Sequence, residues 1–152
     1  MQREIQFKSY EEVAREAERL RDGGYHSRGK WNLGQACAHL SYYYRGALDG
    51  FGTRMPWIIR VTFGPVIKKR YLSDKPLSPG GITAPPSDPL KAGRKEDAAA
   101  IDELIALARR LEKVADGESL HPSPVLGELS VAEWRRINLK HAAHHFSFLE
   151  PK

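Results

Sequence analysis

Three of the chain's six histidines fall in the run Lys140-His141-Ala142-Ala143-His144-His145. On a helix, residues four apart stand one above the other on the same face, so His141 and His145 can aim their rings at one ion. This is the two-histidine clamp of many helical metal sites. The zinc-protease motif is not matched, because Ala142 stands where its Glu would be. His144 lies about 100° around the helix from His145 and reads as a supporting or packing residue. The same spacing also arises without a metal, in which case these histidines are structural. Cys37 is the lone cysteine, which rules out an intrachain disulfide and a thiolate-rich zinc site, so an ion here needs nitrogen or oxygen ligands.

A third ligand must come from another helix, and the sequence predicts four. Ser9-Tyr10-Glu11-Glu12 has capping-box spacing and opens helix one, which Gly23-Gly24 stops. Asn32, with Gln35 three residues on, caps helix two, which continues to Gly50. His39 is its only histidine, and Gln35, Tyr42 and Tyr43 make that face polar. Helix three spans Glu96 to Val114, with Ile101, Leu104, Ile105, Ala108 and Leu111 on one stripe. Ser130-Val131-Ala132-Glu133 is a second capping box and opens helix four, expected to run to about Leu149. No strand-like alternation competes with these helices. His26 and His121 fall in loops, and Trp31 and Trp134 read as core anchors.

The 152 residues, 41% of them hydrophobic, suffice for one core, and a single domain over 1–152 is expected. The segment from Met55 to Ala92 stands apart. It holds seven of the ten prolines, and the span from Thr53 to Ala92 carries the whole +5 net charge of the chain. Its apolar runs, Pro56 to Phe63 and Pro65 to Arg70, predict short helices covering one end of the core, ahead of a turn-rich stretch from Pro76 to Pro89. The basic cluster Lys68-Lys69-Arg70 reads first as a solvated face and second as an attractor for an anionic substrate. A membrane-surface role is disfavoured because the stretch is short and interrupted by Gly64-Pro65. The beginning Met1-Gln2-Arg3-Glu4 carries no apolar signal region, and no stretch is long and apolar enough to span a bilayer, so a cytoplasmic protein is expected. Four main helices with one long crossover imply an antiparallel four-helix bundle with a proline-rich basic excursion.

Trp31 ahead of His39-Leu40, together with His141, His144 and His145, resembles the DinB-like superfamily of four-helix metal proteins. The run His121-Pro122, Leu126-Gly127-Glu128-Leu129-Ser130, Glu133-Trp134, Lys140-His141 and His144-His145 is similar to an uncharacterised branch of it, a family of unknown function. The similarity covers helix two to the C-terminus. It implies a metal held by His39, His141 and His145, and pairing into homodimers. The sequence departs at Phe146-Ser147-Phe148, where such proteins often carry Arg or Gln.

Three imidazoles leave a coordination position open, and three histidines suit Zn or Ni, with Co, Fe and Cu also accommodated. The wider superfamily's thiol-dependent transferases and metal-dependent hydrolases imply a small-molecule substrate or a low-molecular-weight thiol as partner. No general base stands out, since helices two and four supply only Tyr42, Tyr43, Asn138 and His144 within reach. Three readings follow: a metal-dependent transferase or hydrolase, a non-catalytic metal or small-ligand module, and, last, a nucleic-acid binder. The last lacks a basic recognition helix and an aromatic platform, so no nucleic-acid partner is expected.

Overall fold

A computed structural model describes residues 2–52, 54–77 and 98–152. Its elements are α1 (Tyr10–Gly23), β1 (Tyr25–Ser27), α2 (Leu33–Asp49), α3 (Trp57–Thr62), α4 (Gly64–Leu72), α5 (Ala98–Glu112), α6 (Val131–Phe146) and β2 (Leu149–Pro151). No helix of the described residues is long and apolar enough to cross a membrane.

The local signals act as the sequence predicts. Ser9 accepts a hydrogen bond from the Glu12 amide, and both Asn32/Gln35 and Ser130/Glu133 form reciprocal capping boxes. A tertiary contact completes the start of α1, where the Glu112 carboxylate at the end of α5 accepts from the amides of Tyr10 and Glu11 at 2.7 and 3.3 Å. Those amides have no partner inside the helix, so a carboxylate there satisfies orphan donors and meets the positive end of the dipole.

The apolar stripes of α1, α2, α5 and α6 bury one shared core containing Val13, Leu20, Leu40, Tyr44, Leu104, Leu111, Trp134 and Phe146. Cross-helix pairs give the directions. Arg21–Asp102 and Glu112–Tyr10 set α1 against α5 antiparallel, and Tyr44 donating to the Asn138 carbonyl, beside His39 against His141, sets α2 antiparallel to α6. Arg45–Glu103 and Asp49–Arg110 show instead that α2 and α5 run in the same sense, which the long intervening segment permits.

Three expectations are corrected. Helix four ends at Phe146 rather than near Leu149, because Leu149–Pro151 leaves the helix to pair antiparallel with Tyr25–Ser27. His26 therefore lies in a short strand, opposite Glu150, and not in a loop. Among its described residues the excursion does not cover the core as expected: Trp57, Ile58, Val61, Phe63 and Val66 are exposed, and Tyr71 and Leu72 pack inward. The start of helix three at Glu96 and most of the turn-rich stretch lie outside the described residues.

Gly46 marks a close approach in α2. A Cβ there would fall 2.2 Å from the Phe51 ring, and that ring is held between the edge of Tyr42 and the stacked face of Trp134. Gly46→Ala is therefore expected to destabilise the fold by about 1–2 kcal/mol, since the overpacking penalty exceeds the roughly 1 kcal/mol gain in helix propensity. A urea titration reads the sign, and a rise in midpoint would refute the clash.

Candidate metal centre

The site lies where α2 and α6 cross. Tyr25 accepts a hydrogen bond at 2.8 Å from the Leu33 amide at the start of α2, and the Asn32 cap fixes the same turn, which sets where His39 sits two turns later. The Gln35 side-chain oxygen accepts from the Asn32 amide in that capping box. The Nε2 atoms of His39 and His145 each lie 3.0 Å from Nε2 of His141, and the three residues offer ligand atoms all within 4.8 Å of one another. No carboxylate of the described residues joins this group.

Zinc–nitrogen bonds of about 2.0–2.1 Å place tetrahedral ligand nitrogens about 3.3 Å apart. Two separations, at 3.0 Å, fall a few tenths of an ångström short of that edge and the third is no more than 4.8 Å, so an ion fits with ring adjustments. A neutral imidazole Nε2 carries either one proton or one lone pair, so His141 cannot make two good nitrogen–nitrogen hydrogen bonds at once. Three converging nitrogens suit a cation better than each other. His39 and His141 are buried. Burial holds the His141 ring well below its ordinary pKa, with the neighbouring His145, His39 and His144 adding in the same direction. Burial likewise pushes His145 down to about 2, reinforced by His39 and His144. Both rings are thus neutral at physiological pH, the protonation state a ligand needs.

Aromatic rings wall the cluster. Trp31 stacks on His145 with centroids 4.9 Å apart and planes at 18°, and leans on His39 at 5.0 Å. Tyr43 sets its edge against His39 and His141 at 5.3 and 5.0 Å, and Tyr71 of α4 reaches His141 at 6.4 Å. Trp31 is accordingly no core anchor, whereas Trp134 is one, buried and donating its indole N–H to the His121 carbonyl. That bond, with the His121 amide donating to the Ala47 carbonyl, makes His121 a loop clasp. His144 lies edge-on to both His145 and Phe148. Of the other side chains within expected reach, Tyr42 faces Phe51 and Tyr43, and Asn138 donates to the Tyr10 hydroxyl in the core.

The sequence does not betray how Trp31 and Tyr71 arrive. Trp31 is positioned by the β1–β2 ribbon: Ser27 donates to the Trp31 carbonyl at 2.7 Å, and the Arg28 amide donates to the Phe148 carbonyl at 2.8 Å, tying the loop to the end of α6. Tyr71 is positioned by Lys140, the residue before His141, whose ammonium donates to the carbonyls of Arg70, Tyr71 and Ser73 at 3.4, 3.3 and 2.7 Å. A cation at a helix C-terminus satisfies orphan carbonyls and complements the dipole. Lys140→Met is expected to loosen this clasp at a cost of about 2 kcal/mol, read as faster hydrogen exchange in α4 with α1 and α5 unchanged. Unaltered exchange in α4 would show that the clasp holds nothing.

Nothing among curated proteins or solved structures matches the chain. The family model described as a protein of unknown function, DUF1569, matches residues 1–152, and the chain belongs to that family.

Proposed function

We propose that residues 1–152 form a single DinB-like four-helix bundle whose function is to bind one divalent metal ion, zinc or nickel, through His39, His141 and His145. The observation that carries this is the convergence of three imidazole nitrogens from two helices, two of them 3.0 Å from the third, in a buried setting that keeps His141 and His145 unprotonated. The four helices sharing one core, with α2 and α5 parallel across a long connection, support the bundle reading.

His39, His141 and His145 would hold the ion, which when bound would supply Lewis acidity toward a thiol, a water or a carbonyl. The residues around it do the rest. Trp31, Tyr43 and Tyr71 pack against the ligand rings and hold their planes. On this reading the activity is thiol transfer to, or hydrolysis of, a small molecule. A non-catalytic metal-binding module is the second reading, favoured by the absence of any carboxylate from the cluster among the described residues.

Elemental analysis of tag-free protein after exposure to equimolar Zn, Ni, Mn and Fe tests the proposal beside His39→Ala and His141→Ala. One equivalent in the parent and none in either variant is the expected result. A folded parent that takes up no metal would make the three histidines structural. A screen of the loaded protein with thiol acceptors and esters then separates the two readings, since the module predicts no turnover with any of them.

A further inference from the structure

All the large hydrophobic side chains exposed among the described residues come from one stretch: Met55, Trp57, Ile58, Val61, Phe63 and Val66, from 40% to 68% accessible. Soluble surfaces scatter such residues singly, so six within twelve positions form a patch that calls for a partner. The stretch is also continuous. Phe63 has helical dihedrals, its amide donates to the Ile59 carbonyl, and its carbonyl accepts from the Ile67 amide, both at 2.9 Å. Gly64-Pro65, which reads as an interruption in the sequence, leaves the helical path intact because Pro is tolerated in a first turn. The segment is fixed to the body through its backbone and a charged side chain. Gly64 packs so closely on the Val125 carbonyl that a Cβ would lie 2.8 Å from it. The Met55 amide donates to the Pro124 carbonyl, and Lys68 pairs with Glu133 at 3.0 Å. None of these contacts buries the six apolar side chains, which stay exposed.

Charge selects the occupant. Residues 54–77 carry six Lys or Arg against the single Asp74, and Arg54, Lys69, Arg70 and Lys75 are exposed. A second copy seated symmetrically on this patch would set the same positive charge against itself, and a nucleic acid would neutralise the charge while leaving Met55, Ile58, Val61 and Val66 in water. An acidic bilayer meets both halves: hydrocarbon for the aliphatic chains, the headgroup boundary for Trp57, and negative charge for the flanking bases. We propose that α3 and α4 form a docking surface for an anionic lipid membrane, on which the chain rests peripherally.

Sedimentation of the full chain with vesicles tests this, comparing pure phosphatidylcholine with phosphatidylcholine containing about one third phosphatidylglycerol. The expected result is pelleting with the anionic vesicles only, release by salt near about 0.5 M, and a blue shift of tryptophan emission that Trp57→Ser removes. Trp57→Ser/Val61→Ser should weaken binding by at least about tenfold, and Lys69→Gln/Arg70→Gln by about 25-fold, about fivefold for each charge. All four positions are exposed, and circular dichroism unchanged from the parent confirms that each variant folds. Failure to bind anionic vesicles would overturn the proposal in favour of a protein partner, as would binding indifferent to the Trp57 and Val61 changes. A parent that is dimeric by light scattering and monomeric as Trp57→Ser/Val61→Ser would assign the patch to a second copy instead.

Discussion

The His141→Ala chain is expected to fold and to keep at most about a third of the thermal stabilisation that a divalent ion gives the parent, which gains several degrees or more. His141 is the hub of the cluster, since its Nε2 is the atom that both His39 and His145 approach at 3.0 Å. Losing an outer partner of a metal ligand commonly weakens binding 10–100-fold, and losing the hub ligand itself should exceed about a hundredfold. An ion at about a thousand times its dissociation constant stabilises the folded state by about 4 kcal/mol, which in a domain of this size is about 8–16 °C. The substitution also leaves a cavity, costing about 1–3 kcal/mol in the metal-free state. Removal of a desolvated imidazole offsets part of that cost. The two contributions separate cleanly because only one depends on added metal. Scanning calorimetry of parent and variant, each with chelator and with zinc or nickel, reads both. A variant that keeps the full metal-dependent shift would remove His141 from the site.

What could be read from the sequence was whatever acts over one or two helical turns. The Ser130/Glu133 and Asn32/Gln35 boxes are legible because a cap and its partner lie three residues apart, and the His141/His145 pairing because helical geometry alone aligns them. The convergence of His39 on them is not periodic information; the resemblance to the DinB-like proteins, and no local pattern, implies it. Trp31 reads as core in the sequence because its role depends on a strand pair, Tyr25–Ser27 with Leu149–Pro151, whose members are three residues long and show no alternation. Each is too short to carry a signal of its own. The same pairing took the final residues from the predicted helix. The apolar run after Pro56 was assigned to the core on the rule that apolar residues are buried, a rule that runs one way only. Its fixed contacts run through the Gly64 backbone, the Met55 amide and the Lys68 ammonium, none of which buries an apolar side chain.

Acidification from pH 7 to pH 5 is expected to destabilise the metal-free protein by about 4 kcal/mol through His141 and His145 alone. Burial holds both rings neutral in the fold, with values far below the ordinary 6.5, whereas in the unfolded chain they ionise near 6.5. Below that pH the unfolded state binds more protons, so stability is complete above about 6.5 and falls as pH drops toward the folded values. Each histidine then contributes about 2 kcal/mol of loss by pH 5. His144, lowered in the same direction by burial, adds to the trend. The carboxylates act elsewhere. Glu133, lowered by its Ser130 and Lys68 bonds, and Glu11 and Asp49, lowered by Arg109 and Arg110, titrate beneath this window. Urea midpoints at the two pH values, in the presence of chelator, measure the slope, and a His141→Ala/His145→Ala double variant should lose most of it. With metal bound the fall should be steeper, because protons compete for each ligand nitrogen and release of the ion withdraws its stabilisation as well. A flat profile between pH 7 and 5 in the metal-free parent would mean that the rings accept protons without leaving the fold, and that the cluster opens to water more readily than its burial implies.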